Sequence, residues 1–268
     1  MKAFVIDVGI CNGCYCCQIA CKDEHCANDW TPYAKPQPET GHFWLKQNEY
    51  VRGTVPRVKV SYKPVLCMHC EEAPCIEACP VENAIYRRDD GLVIIDPVKC
   101  TGCKNCVDAC PYKVIYFNDG LNIAQKCTGC AHLIDGGWKE PRCVDACPTG
   151  AIKFGEESEL KDLIKKAEVL GPEFKAKPRV YYLNLPKRFI GGTVYDPVEK
   201  EVIIGATITV IGKGDKKLTA KTDGFGDFMF EGLEVGKYTV SIEKGGKSKT
   251  IVAVNTEKDV NLGDIPFP

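Results

Sequence analysis

Eighteen cysteines, all between residues 11 and 147 of a 268-residue chain, constrain this sequence more than any other feature. Sixteen of them form four groups. Cys11, Cys14, Cys17 and Cys21 give C-x2-C-x2-C-x3-C, and Cys67, Cys70, Cys75 and Cys79 give C-x2-C-x4-C-x3-C-P. Cys100, Cys103, Cys106 and Cys110 repeat the first spacing, with Pro111 following. Cys127, Cys130, Cys143 and Cys147 give C-x2-C-x12-C-x3-C-P. The text around the groups repeats too, since EACPVENAI, DACPYKVIY and DACPTGAIK mark the ends of three of them.

A cubane of iron and sulfide offers four iron corners. A short C-x2-C-x2-C loop wraps three with successive thiolates, and a fourth cysteine on the following helix reaches a neighbouring cluster. Proline then ends the binding turn, because it fixes φ and lacks an N–H. Disulfide frameworks belong mostly to much smaller secreted domains. Structural zinc uses paired C-x2-C knuckles and leaves a repeated third cysteine surplus. The sixteen cysteines are therefore expected to hold four 4Fe–4S clusters, with no catalytic residue of the chain's own.

Two pairings satisfy the spacing. In one, the second and third groups, separated by a hairpin-like stretch from Tyr86 to Pro97, form a two-cluster ferredoxin nested inside the first and fourth. Its ligand sets are Cys11, Cys14, Cys17 and Cys147; Cys127, Cys130, Cys143 and Cys21; Cys67, Cys70, Cys75 and Cys110; and Cys100, Cys103, Cys106 and Cys79. In the other, groups pair in sequence order. Cys16 and Cys26 stand outside the pattern and are read as free buried thiols. His25, His69 and His132 lie near ligands and are expected to pack behind them.

Lys and Arg total 35 against 36 Asp and Glu, so no basic stripe points to nucleic acid. Loaded clusters with four thiolates each add negative charge. Lys22, Lys99, Lys104, Lys113 and Lys126 sit beside the cysteines and either offset part of it or are ordinary solvated lysines. The first cysteine arrives too early for a signal peptide, and no apolar run is long enough to cross a bilayer. The expectation is a soluble, cytoplasmic protein, with co-export on a folded partner as the alternative.

The last 121 residues contain no cysteine, which marks a domain boundary. An α+β four-cluster domain of tandem ferredoxin-like type is expected over residues 1–180, followed by a small antiparallel β-sandwich or barrel over 188–268. Within the first, the insertion 27–66 holds Trp30, Tyr33, Phe43, Trp44 and Tyr50, too aromatic for a solvated loop. It either covers the clusters or meets a partner. Leu160, Leu163, Ile164 and Ala167 predict an amphipathic helix over 156–170, stopped by Gly171 and Pro172. From Phe189, six or seven short alternating segments separated by DPVEK, GKGD, DGFG and KGGK predict the β-domain. It has no site-like constellation, so scaffolding or docking is its expected role.

Four ferredoxin-type groups in this order resemble the iron–sulfur (β) subunits of the DMSO reductase family of molybdopterin enzymes. IDVGICNGCYCC, CKDEHCANDW, GTVPR, LCMHCEEAPC, IAQKCTGCAHL and KPRVYYLNL are most similar to its transhydroxylase branch, which acts on polyhydroxylated aromatics. The likeness continues through TVYDPVEK and VNLGDI, and the C-terminal part resembles a transthyretin- or carboxypeptidase-regulatory-like module. The resemblance implies the nested pairing, and a large partner carrying molybdenum or tungsten on two pterin cofactors. In the transhydroxylase branch the group corresponding to Cys100–Cys110 has lost cysteines and a cluster; here it is intact. An intact set implies electron exchange with an external redox partner. A transhydroxylase-like small subunit and a free-standing polyferredoxin are the alternatives.

Overall fold

The computed structural model describes residues 1–268, the side chain of Asp215 excepted. It divides into two units, one of residues 1–49 and 61–185 and one of 50–60 and 186–268.

The first unit opens with a strand, β1 (Lys2–Asp7), whose Ala3, Phe4, Val5 and Ile6 are all buried. A run buried on both faces needs cover on both faces and a partner on each edge. The edge partners are β8 (Ile152–Glu156), antiparallel, and β9 (Val180–Leu183), parallel. Helix α1 (Cys16–His25) follows the first cysteine loop, and a long hairpin joins β2 (Lys46–Thr54) to β3 (Arg57–Val65). The internal repeat then becomes visible as structure. Helix α2 (Pro74–Glu77) leads to the antiparallel hairpin β4 (Ile85–Arg87) and β5 (Val93–Ile95). Helix α3 (Asn105–Ala109) leads likewise to β6 (Tyr116–Asn118) and β7 (Ile123–Gln125). Helices α4 (Ala131–Asp135) and α5 (Arg142–Asp145) carry the fourth group. The hairpin expected between Tyr86 and Pro97 is β4–β5.

The helix expected over 156–170 shrinks to α6 (Lys161–Ile164). Glu157 donates its amide to the Met1 carbonyl oxygen at the edge of the sheet, and Glu168 exchanges both backbone hydrogen bonds with Tyr182. Those partners take the amide groups that a longer helix would need for its own ladder. The apolar face is as expected: Leu160 is buried with Ala3 and Val5, and Leu163 and Ile164 pack beside it.

In the aromatic insertion, Trp44 is buried in the core of the first unit, where its ring lies 4.6 Å from that of His25. Trp30 and Tyr33 pack on the same core. That core also contains cysteines of all four groups, whereas Tyr50 is exposed.

The second unit holds seven strands: β10 (Arg188–Tyr195), β11 (Thr207–Ile211), β12 (Lys217–Lys221), β13 (Asp227–Leu233), β14 (Lys237–Lys244), β15 (Lys247–Asn255) and β16 (Val260–Pro266). One sheet runs β13-β10-β16 and the other β12-β11-β14-β15. Alternation puts Phe228, Phe230 and Ile265 of the first sheet, with Ile208, Val210, Val240 and Ile242 of the second, in one apolar cluster. An all-antiparallel arrangement was expected, but β16 lies parallel to β10. After β15 the chain leaves the four-stranded sheet and joins the other one, so it arrives in the direction of β10 with no hairpin to reverse it. The hairpin tip 50–60 belongs to this unit through Arg57, which donates to Thr193 Oγ1 at 2.8 Å, Asp227 Oδ1 at 2.5 Å and Asn261 Oδ1 at 3.1 Å.

Candidate metal centres

Each cysteine loop is shaped by a left-handed residue two places after its first cysteine. Gly13, Gly102 and Gly129 have φ of 71°, 76° and 64°, and His69 takes the same place in the second group at 44°. Glycine suits this position because it carries no Cβ. A Cβ on Gly129 would also stand 2.8 Å from Leu92, and one on Gly102 2.5 Å from the Asn122 carbonyl oxygen. A second left-handed residue, Tyr15, Lys104 or Cys130, starts the helix that follows. The turn aims amide groups inward, His69 N–H at Cys67 Sγ (3.5 Å) and Gly129 N–H at Cys127 Sγ (3.3 Å), and from strand β7 the Ala124 N–H points at Cys100 Sγ (3.4 Å).

The fold gathers the sixteen thiols into four sets, joining the first group to the fourth and the second to the third. Cys67, Cys70, Cys75 and Cys110 line a small hollow together with Met68, Val93 and Val114. Cys11, Cys14, Cys17 and Cys147 line another with Gln47 and Pro64. Cys21 has Cys127 and Cys130 as electrostatic neighbours, and Cys143 has Cys130, Cys21 and Cys127. Cys106 has Cys100, Cys103 and Cys79.

Neighbours drawn from adjoining sets order the four in a row. Cys17 is near Cys21 and Cys143, Cys127 is near Cys67, and Cys106 is near Cys75. The two ends of the row each have one exposed thiol, Cys14 and Cys103. In the middle, Cys21, Cys127, Cys130 and Cys143 are all buried, and so are Cys67, Cys70 and Cys110.

Burial governs the charge of the free thiols. It pushes Cys17, Cys70, Cys106, Cys127 and Cys130 up to about 12 and Cys75 to about 11, with neighbouring thiols adding to the rise. Cys21 and Cys143 are pushed up for the same reason. Cys147 moves the other way: burial opposes it, but hydrogen bonds from the backbone of Ile152 and Ala151 and from Thr149 favour its thiolate. Buried thiols clustered in fours ionise only when a metal centre supplies positive charge. Among the described residues, no three His, Cys, Asp or Glu side chains converge closely enough for a single ion. Four thiols set around a hollow suit a larger group with several metal corners, and the inward amides suit its sulfides.

The three histidines pack behind the thiols. His25 Nε2 lies 3.8 Å from Cys130 Sγ; His69 Nδ1 accepts from Val93 N–H at 3.0 Å; His132 Nε2 sits 3.0 Å from Glu24 Oε1 and stacks on Trp30. Cys16, expected to be buried, is exposed beside Cys14, because it begins α1 on the face opposite Cys17 and Cys21. Cys26 is half-buried. Among the lysines, Lys22 is bound to the Pro38 and Gly41 carbonyls, and Lys104 lies 4.0 Å over the Phe117 ring. Lys126 departs most from expectation. It is 2% exposed, and the signal for this was its place at the end of the wholly buried strand β7.

Both parts of the chain are similar to known proteins. Residues 58–157 match the 4Fe-4S dicluster domain, and residues 190–266 match the carboxypeptidase regulatory-like domain. The chain is 40% identical to the pyrogallol hydroxytransferase small subunit of Pelobacter acidigallici over 272 residues, covering 97% of each. It is 34% identical to a subunit of the sulfite dehydrogenase of Allochromatium vinosum, covering 69% of this chain and 83% of that one. The figures for the iron–sulfur subunit of the arsenate respiratory reductase of a Shewanella species are 33% identity, 67% and 94%.

Proposed function

The chain belongs to the iron–sulfur (β) subunits of the DMSO reductase family of molybdopterin enzymes, and from that membership we propose a four-cluster electron relay. It would work between a large catalytic partner, carrying molybdenum or tungsten on two pterins, and an external redox partner. Each 4Fe–4S cluster, when bound, supplies a one-electron carrier whose potential depends on its ligands and surroundings.

The residues divide the work. Cys11, Cys14, Cys17 and Cys147 hold the cluster at one end, and Cys79, Cys100, Cys103 and Cys106 the one at the other. Cys21, Cys127, Cys130 and Cys143, and Cys67, Cys70, Cys75 and Cys110, hold the two between. Trp30 and Trp44 exclude water from the middle, and the amides at His69, Gly129 and Ala124 stabilise charge on cysteine sulfur. The observation that carries this reading is the row of four thiol sets, buried in the middle and exposed at Cys14 and Cys103. The two sheets of the second unit, sharing one apolar cluster, are read as a sandwich that serves as a docking module.

The test is the native complex, purified anaerobically with its large subunit. Roughly sixteen irons per chain are expected, four per cubane. Reproducible loading near twelve would remove one set from the relay, and stoichiometric zinc would overturn the scheme.

A second reading has an observation of its own. The relative named as a hydroxytransferase small subunit matches across both units, which favours a transhydroxylase-like complex. In that case the clusters would maintain the active site and not pass electrons in each cycle. Following cluster oxidation state during turnover separates the two: cycling with substrate marks a relay, and a fixed state marks the second reading.

A further inference from the structure

Of the five lysines beside the cysteines, Lys126 alone is buried. Its Nζ donates to the Val93 carbonyl oxygen and, at 3.2 Å, to that of Cys127. Its charged neighbours are Cys67, Cys75 and Cys127. Val93 lines the hollow of Cys67, Cys70, Cys75 and Cys110, whereas Cys127 belongs to the adjacent set. The ammonium therefore lies between the two middle sets, in contact with both. Among the described residues no carboxylate pairs with it.

A buried cation without an anion is costly, and proteins normally neutralise or pair it. Here two carbonyl dipoles are its partners, and the nearest groups able to carry full negative charge are the thiolates on either side. A cluster with four thiolate ligands carries net negative charge, and each electron it receives adds one more. A fixed positive charge in a low-dielectric interior favours that reduced state more strongly than a solvated lysine does. Net charge is also among the factors that set the potential of such clusters.

We propose that Lys126 is the shared counter-charge of the two inner clusters, raising the reduction potential of both so that electrons cross the buried middle of the chain. The inference rests on the four-cluster reading above. Electrons balance simply: one leaves a neighbouring cluster and one arrives, with no bond or proton changing at Lys126. The residue acts through the clusters, so it is a positioning residue for charge and not a catalytic one.

The experiment is an EPR-monitored redox titration of the native complex carrying Lys126→Gln, Lys126→Met or Lys126→Arg. The neutral variants should make two of the four clusters at least tenfold harder to reduce, 59 mV per tenfold for one electron. The other two should not move, and Lys126→Arg should stay close to the wild type. Full iron loading with four unchanged potentials in Lys126→Gln or Lys126→Met would overturn the proposal, as would an equal shift of all four. Loss of iron from both neutral variants, with Lys126→Arg fully loaded, would make Lys126 an assembly residue and also overturn it. A wild-type complex without 4Fe–4S signals would instead remove the relay reading beneath it.

Discussion

Cys16 and Cys17 are adjacent in sequence, yet helix α1 sends one to solvent and the other into the set with Cys11, Cys14 and Cys147. Exchanging them would change both the spacing and the face, so the register of the first group rests on this pair. Cys16→Ser and Cys26→Ser should each retain roughly sixteen irons. Cys103→Ser should lose or convert one cluster, and Cys17→Ser should do the same; iron and sulfide analysis with EPR reads all four. Equal loss from Cys16→Ser and Cys17→Ser would move the register by one. Gly129 makes a second residue-level test. Alanine there meets both a left-handed backbone and the Leu92 side chain at 2.8 Å. Gly129→Ala should cost about 1–2 kcal/mol from the backbone alone, measured as a lower denaturant midpoint at unchanged slope.

At the scale of elements, the segment 27–66 shows how aromatic side chains become cover. Trp44 is 1% exposed and packs beside His25, which in turn stands behind Cys130. Truncating a buried tryptophan removes apolar area and leaves a cavity next to a thiol set. Trp44→Ala should therefore destabilise the first unit by roughly 3–5 kcal/mol. Faster bleaching of cluster absorbance in air is the companion measurement, since water and oxygen gain access; unchanged bleaching would remove the covering role. The short helices α2 to α5 need no such test of intrinsic propensity. At four or five residues each they are held by what surrounds them.

For the whole molecule, the division into units alters how the C-terminal part should be removed. Residues 50–60 belong with 186–268, and Arg57, 8% exposed, spends its hydrogen bonds on Thr193, Asp227 and Asn261. A truncation after residue 185 alone would leave that guanidinium without its partners. The informative variant also replaces 50–60 with a short turn. It should keep its cluster spectra and lose co-purification with the large subunit. Unchanged assembly and turnover would sink the docking role; collapse of the spectra would show that the second unit is needed to hold the first.

Much of this protein was written in local pattern. The grouping of the cysteines follows from spacing along a short loop, and the strands of the second unit follow from alternation and glycine turns, because both are patterns among residues near in sequence. Six alternating segments from Phe189 onward became strands, and the seventh strand, β16, falls in the stretch that those six left over. Long-range partners decided the rest. The 156–170 segment has a helical apolar stripe, but Met1 and Tyr182 claim the backbone near its two ends. β1 carries no alternation, because both its faces are covered by residues far away in the chain. Spacing alone allowed two pairings of the cysteine groups. The structure brings Cys147 to Cys11 and Cys110 to Cys67, since which loops meet depends on how two hairpins and a three-stranded sheet pack. Lys126 is the sharpest case: a lysine next to a cysteine reads like any other, and only packing on every side made it a buried charge between two thiol sets.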